Sequence, residues 1–165
     1  MKKICLLTIL LFAVFAANAQ NEPAQSGPTL EQKYNMTRTL FYNVTFSLIT
    51  IAKNDGMTAE EYGKKYAETF PWGEDATFQA LAGFVVGSMA CTADSVSIIE
   101  RSDDKVVILV PRLYGPLENQ GAIYGSTLED YVAWWNGAMS EIARRINMSC
   151  EFSLGEEGIK IVIAQ

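Results

Sequence analysis

"SVSIIERSDDKVVILV", residues 95 to 110, is where the pattern of this sequence changes. Upstream, apolar residues recur every three or four positions. Here they crowd into two short runs, "SVSIIE" and "KVVILV", on either side of the polar "RSDD". Two β-rich runs around a polar turn read as a hairpin. A second hairpin follows near the end of the chain. Met148, Cys150, Phe152 and Leu154 alternate with Ser149, Glu151 and Ser153; "GEEG" turns the chain; Ile159, Ile161 and Ile163 alternate back. Such alternation gives a sheet one apolar face and one polar face.

Outward from the hairpins the period returns to that of a helix. Thr29-x-x-Gln32 fits a capping box, and Leu30, Tyr34, Thr37, Phe41, Val44, Leu48 and Ile51 follow at alternating spacings of four and three. This stripe is expected to pack on a sheet, and Gly56 in "KNDG" to supply a left-handed cap. Thr58-x-x-Glu61 opens a second helix, with Tyr62, Tyr66 and Phe70 on one face and Glu60–Lys64 as an exposed pair. A third restarts near Asp75, with Phe78, Leu81, Val85 and Met89 as its apolar face. Its small residues, Gly83 and Gly87 among them, would admit a close neighbour. Between the hairpins, Ser126-x-x-Glu129 starts a helix with Leu128, Val132, Trp135, Met139, Ile142 and Ile146 on one face. The order α-α-α-β-β-α-β-β predicts an α+β fold: a four-stranded antiparallel sheet covered mainly on one face by helices.

The first residues read differently. Lys2 and Lys3 precede an apolar run from Ile4 to Ala17, and Ala17-Asn18-Ala19 has the small residues of a signal-peptidase site. The expected organisation is a signal peptide over 1–19, a mobile leader over 20–28 and a single α+β domain over 29–165. The expected location is the periplasm or the outside of a bacterium. Cleavage after Ala19 leaves 146 residues, one domain's worth, and takes the net charge from −6 to −8. An acidic chain with no basic cluster is repelled by nucleic acid and by anionic lipid, so neither is an expected partner, and no later segment suits membrane insertion.

Two cysteines, Cys91 and Cys150, outlast such cleavage. An even count in an oxidising compartment reads first as one disulfide, with a reactive thiol as the alternative. The chain contains no histidine. That excludes Ser-His-Asp and Cys-His catalysis, histidine-ligated zinc and histidine-bound haem. No metal spacing or phosphate-binding loop appears, so no metal or cofactor is expected, and the reading leans away from an enzyme.

One segment has the composition of a binding site. "PRLYGPLENQGAIYGS", residues 111 to 126, joins a strand to a helix over about 15 residues, where ~2–6 suffice. Arg112 is a candidate anion clamp, and Tyr114 and Tyr124 are candidate pocket walls. On the next helix, Tyr131 and Trp134 share a flank off the core stripe. They read as a further wall, a dimer patch, or a wide buried face under the first helix.

The last 55 or so residues run hairpin, helix, and then "RINMSCEFSL" into the final hairpin. With its Cys150-Glu151-Phe152 element, this part resembles the C-terminal region of the aminothiazoline-carboxylate hydrolase-like group and the related four-vinyl-reductase-type ligand-binding domains. The resemblance implies their fold, a tendency to bind ligands and Cys150 as a pocket residue. It does not imply the hydrolase chemistry, because "VPRLYG" and the helix between the hairpins lack cysteine. The function expected is therefore an exported, non-catalytic domain that binds or senses a small molecule. The alternatives are an envelope interaction module that forms a homodimer and a cysteine-dependent hydrolase-like enzyme.

Overall fold

Both expected hairpins are present, and the alternation read in the second is the one that the structure has. A computed structural model of the chain describes residues 27–73, 75–113 and 115–165. The expected signal peptide, its cleavage point, most of the leader and Tyr114 lie outside the described residues. The elements are helices α1 (Leu30–Asn54), α2 (Ala59–Ala67) and α3 (Phe78–Thr92), strands β1 (Ser95–Arg101) and β2 (Lys105–Arg112), and a short helix α4 (Gly115–Gln120). There follow a two-residue pair, β3 (Ala122–Ile123) and β4 (Ser126–Thr127), then α5 (Leu128–Arg145), β5 (Ser149–Gly155) and β6 (Gly158–Ala164). The chain divides within α1 into a unit ending at Met36 and one running from Thr37 to Gln165. In the first, Thr29 and Gln32 form the expected reciprocal cap.

The four long strands form one antiparallel sheet in the order β1-β2-β6-β5. The register from Lys105↔Ala164 to Val110↔Ile159 is unbroken, and β5 pairs with β6 along its whole length. Val106, Ile108, Val110, Cys150, Phe152, Ile159, Ile161 and Ile163 are all buried, and Ser149, Glu151, Ser153 and Lys160 are exposed. α5 lies along β5, and the Asn136 side chain accepts a hydrogen bond from the Phe152 amide at 2.9 Å. β1, at the opposite edge, is less regular: its register with β2 shifts twice, and Ile98 and Ile99 stay exposed.

The helices differ from the expectation in which faces they bury. α1 turns Tyr42, Thr45, Phe46, Ile49 and Ala52 inward, while Val44, Leu48 and Ile51 of the expected stripe are exposed. The helix is apolar over two faces, and the one bearing Tyr42 and Phe46 packs against Tyr131. Gly56 takes the predicted left-handed cap at φ 84°. α3 buries Phe78, Leu81, Val85 and Met89 as expected. A Cβ on its Gly83 or Gly87 would meet only open space, so neither admits a neighbour. Close approach occurs between α2 and α5 instead. α2 buries Ala59, Gly63 and Ala67, and a Cβ on Gly63 would overlap the Trp134 carbonyl. Gly137 stands in the same relation to the Glu60 carbonyl.

The start of α5 is one residue later than the capping pattern suggested. Thr127 is the cap and Asp130 its reciprocal partner, because the buried Ser126 hydroxyl is already engaged with Thr50, 2.7 Å away. The expected Cys91–Cys150 bridge is not made. Cys150 is a free thiol facing the core from β5, and Cys91 is exposed on α3.

Candidate functional site

The connection over 111–126 is built rather than loose. α4 fills its middle, and β3 and β4 close through Tyr124 and Gly125, with φ values of 55° and 90°. Two positive φ values in a two-residue loop are those of a type I′ hairpin, normally Asn-Gly. The turn is fastened to α1: Thr50 donates to the Tyr124 carbonyl at 3.1 Å, and Lys53 reaches Asp130 at 2.6 Å. Burial works against ionisation of Asp130, but Lys53 and the Thr127 amide outweigh it and hold the carboxyl below its ordinary range.

Of the predicted site residues that are described, Tyr131 and Trp134 lie together, their rings 6.0 Å apart, while Arg112 and Tyr124 stand elsewhere. Arg112, at the open end of the β1–β2 hairpin, lies 3.7 Å from Asp94, which Arg38 contacts at 2.5 Å on its other oxygen. Its guanidinium thus has a neighbouring acid within ion-pair distance. Tyr124 is exposed at the hairpin tip, and Tyr114 lies outside the described residues. Tyr131 is buried in the core, stacked on Phe46 at 5.6 Å. Burial raises its phenol well above the ordinary range, as it does that of Tyr42, whose hydroxyl donates to the Thr92 carbonyl at 2.8 Å. Of the three readings of the Tyr131–Trp134 flank, the buried face under α1 is therefore the one found.

Trp134 remains part of a cavity, though not the one expected. A groove of about 350 Å³ runs between α1 and the α2–α5 pair. Leu40, Phe41, Val44 and Leu48 of α1 form one wall, Tyr62 and Tyr66 of α2 the other, and Trp134 lies between them. Among the described residues, Thr37 and Thr45 supply its only aliphatic hydroxyls and no charged residue lines it. The volume falls within the range of small-molecule sites, ~300–1,000 Å³. The Trp134 ring sits 5.3 Å from Tyr66 and 5.1 Å from Trp135, whose ring stacks on Phe152 at 5.8 Å. The groove's wall is thereby tied to the sheet through continuous aromatic contact. Trp134 is 5 % exposed, and its indole N–H has no hydrogen-bond partner among the described residues.

Sequence reasoning missed Tyr62 and Tyr66 as site residues, though it placed them on one face of α2. The signal available was that face itself: it is aromatic, while the buried side of α2 is only alanine and glycine. A second cavity, about 220 Å³, lies where α3 meets the β1–β2 turn and is lined in part by Arg101 and Asp103. Among the described residues no cluster of acids and cysteines could hold a metal, and no helix is long and apolar enough to cross a membrane. No family model matches the sequence, and no curated protein matches it.

Proposed function

We propose that the protein is an exported, non-catalytic domain that binds an uncharged, largely apolar small molecule, and that its site is the groove between α1 and the α2–α5 pair. The observation that carries this reading is the groove's lining: largely aliphatic on the α1 wall and aromatic on the α2 wall, with no charged side chain among the described residues to hold a charged ligand. A charged ligand entering it would lose hydration without gaining a partner. The bacterial envelope is the location that the N-terminal pattern supports. The weak C-terminal resemblance to ligand-binding domains agrees with the reading, although the site proposed here is on the helices rather than at Cys150.

Thiol catalysis fits poorly. Burial pushes the Cys150 thiol up to about 12, and the chain holds no histidine to take its proton.

Native mass spectrometry of the protein purified from a periplasm, without reductant, tests the proposal. The expected result is added mass that departs on denaturation, or, for a bare chain, saturable uptake of the neutral probe N-phenyl-1-naphthylamine. Tyr62→Arg, which sets a charge in the groove at a half-buried position, should abolish either. A bare chain that ignores the probe, or equal binding by the folded variant, would sink the assignment.

A further inference from the structure

α1 carries a second apolar face that no described residue covers. Leu40, Val44, Leu48 and Ile51 are 63, 49, 41 and 56 % exposed, although the opposite side of the same helix is fully buried. We infer that this face is where two copies of the chain meet, stripe against stripe. It goes beyond the ligand reading and does not depend on it.

Three observations favour a second copy as the occupant. The first is spacing. Leu40, Val44, Leu48 and Ile51 follow one another at steps of four, four and three, so the exposed face runs lengthwise along the helix as a seam that can meet its own copy. A seam of this kind is self-complementary, as a two-fold dimer requires. The second is charge. The chain has 19 acidic residues and a net charge of −6, yet none of those acids lies between Gln32 and Asn54. Two acidic copies can approach along this helix without opposing carboxylates. The third is what else the chain could lay there. With the expected signal peptide removed, residues 20–28, "QNEPAQSGP", hold no apolar stripe to cover it.

The stretch from Thr37 to Ile51 is about 22 Å of helix at 1.5 Å per residue, short of the ~800 Å² per partner of a standard interface. The dimer is accordingly a weak one, with a Kd of roughly micromolar order. Leu40, Val44 and Leu48 belong both to the exposed face and to the groove wall, so the second copy also roofs the groove.

Sedimentation velocity of the mature protein, across a low-to-high micromolar series, reads this out. The expected result is concentration-dependent dimerisation, weakened at least about tenfold by Leu40→Glu or Leu48→Glu, since each places two charges in the contact. Both positions are exposed, so the variants should keep the wild-type circular dichroism and melting temperature. Ile99→Glu, on the sheet edge, should dimerise as the wild type does. A monomer throughout the series would overturn the inference. So would dimerisation unchanged by both leucine variants, its loss in Ile99→Glu alone, or a monomer carrying an unrelated polypeptide in the native mass spectrum.

Discussion

Gly63 of α2 faces the backbone carbonyl of Trp134 in α5 with no room for one methyl group between them. Gly137 faces Glu60 in the same way, so the two helices cross backbone to backbone. That closeness sets where Trp134 and the tyrosines of α2 meet, and hence the depth of the groove.

Gly63→Ala and Gly137→Ala should each therefore destabilise the fold by about 1–3 kcal/mol through overpacking. Gly83→Ala and Gly87→Ala on α3 meet open space and should instead stabilise by up to ~1 kcal/mol through helix propensity. Urea unfolding midpoints at unchanged m-value separate the two pairs. Equal effects at all four positions would contradict the crossing.

Tyr124 holds a left-handed conformation, φ 55°, that costs a residue with a side chain about 1–2 kcal/mol. Its side chain is exposed at the hairpin tip, so packing does not repay the cost. Tyr124→Asn should raise the melting temperature and leave probe uptake in the groove unchanged. A fall in either would mean that the tyrosine ring has a contact of its own.

Stability should decline at both ends of the pH scale, for opposite reasons. The Arg144 guanidinium, with that of Arg145, holds the Glu141 carboxyl down to about 2 from its ordinary 4.5. A depressed carboxylate stabilises fully above its unfolded value, and that contribution fades as pH falls from about 4.5 towards 2. Glu141→Gln should flatten this acid limb. Tyr42 and Tyr131 are raised by burial, so their contribution is whole below the unfolded phenol value of about 10 and is lost as pH climbs beyond it. Tyr42→Phe should delay alkaline unfolding, at the cost of the hydrogen bond to the Thr92 carbonyl. Thermal melts across the pH range show both limbs.

Cys150 should alkylate only as the protein unfolds. Its thiol is buried and pushed up to about 12, so the native state presents almost no thiolate at neutral pH. Iodoacetamide labelling of its peptide should rise with the urea transition monitored by fluorescence. Labelling well before that transition would show that β5 opens locally.

The sheet was readable because a strand has only two phases. Once Cys150 and Phe152 alternate with Glu151 and Ser153, only one side can face the core. α1 offered no such choice. Its outward stripe and its inward set, Tyr42, Phe46 and Ile49, are both apolar and both spaced for a helix, so spacing could not say which one the domain would cover. The same ambiguity left three readings of Tyr131 open, and its burial follows from Phe46, on the inward face, lying against it. The glycine crossing had a signal in Ala59-x-x-x-Gly63-x-x-x-Ala67, yet the same spacing in Gly83-x-x-x-Gly87 packs on nothing. Arg112 needed a tertiary fact: the Ser95↔Arg112 register that brings Asp94 beside it.

The two slips in β1 bear on how the sheet edge would meet another chain. A sheet edge with regular, outward amides and exposed isoleucines at 98 and 99 is a template for another chain's strand. Each bulge twists the strand and breaks the even spacing that an incoming strand must match. β1 thus forgoes ladder hydrogen bonds and, in return, keeps an apolar edge from seeding fibres.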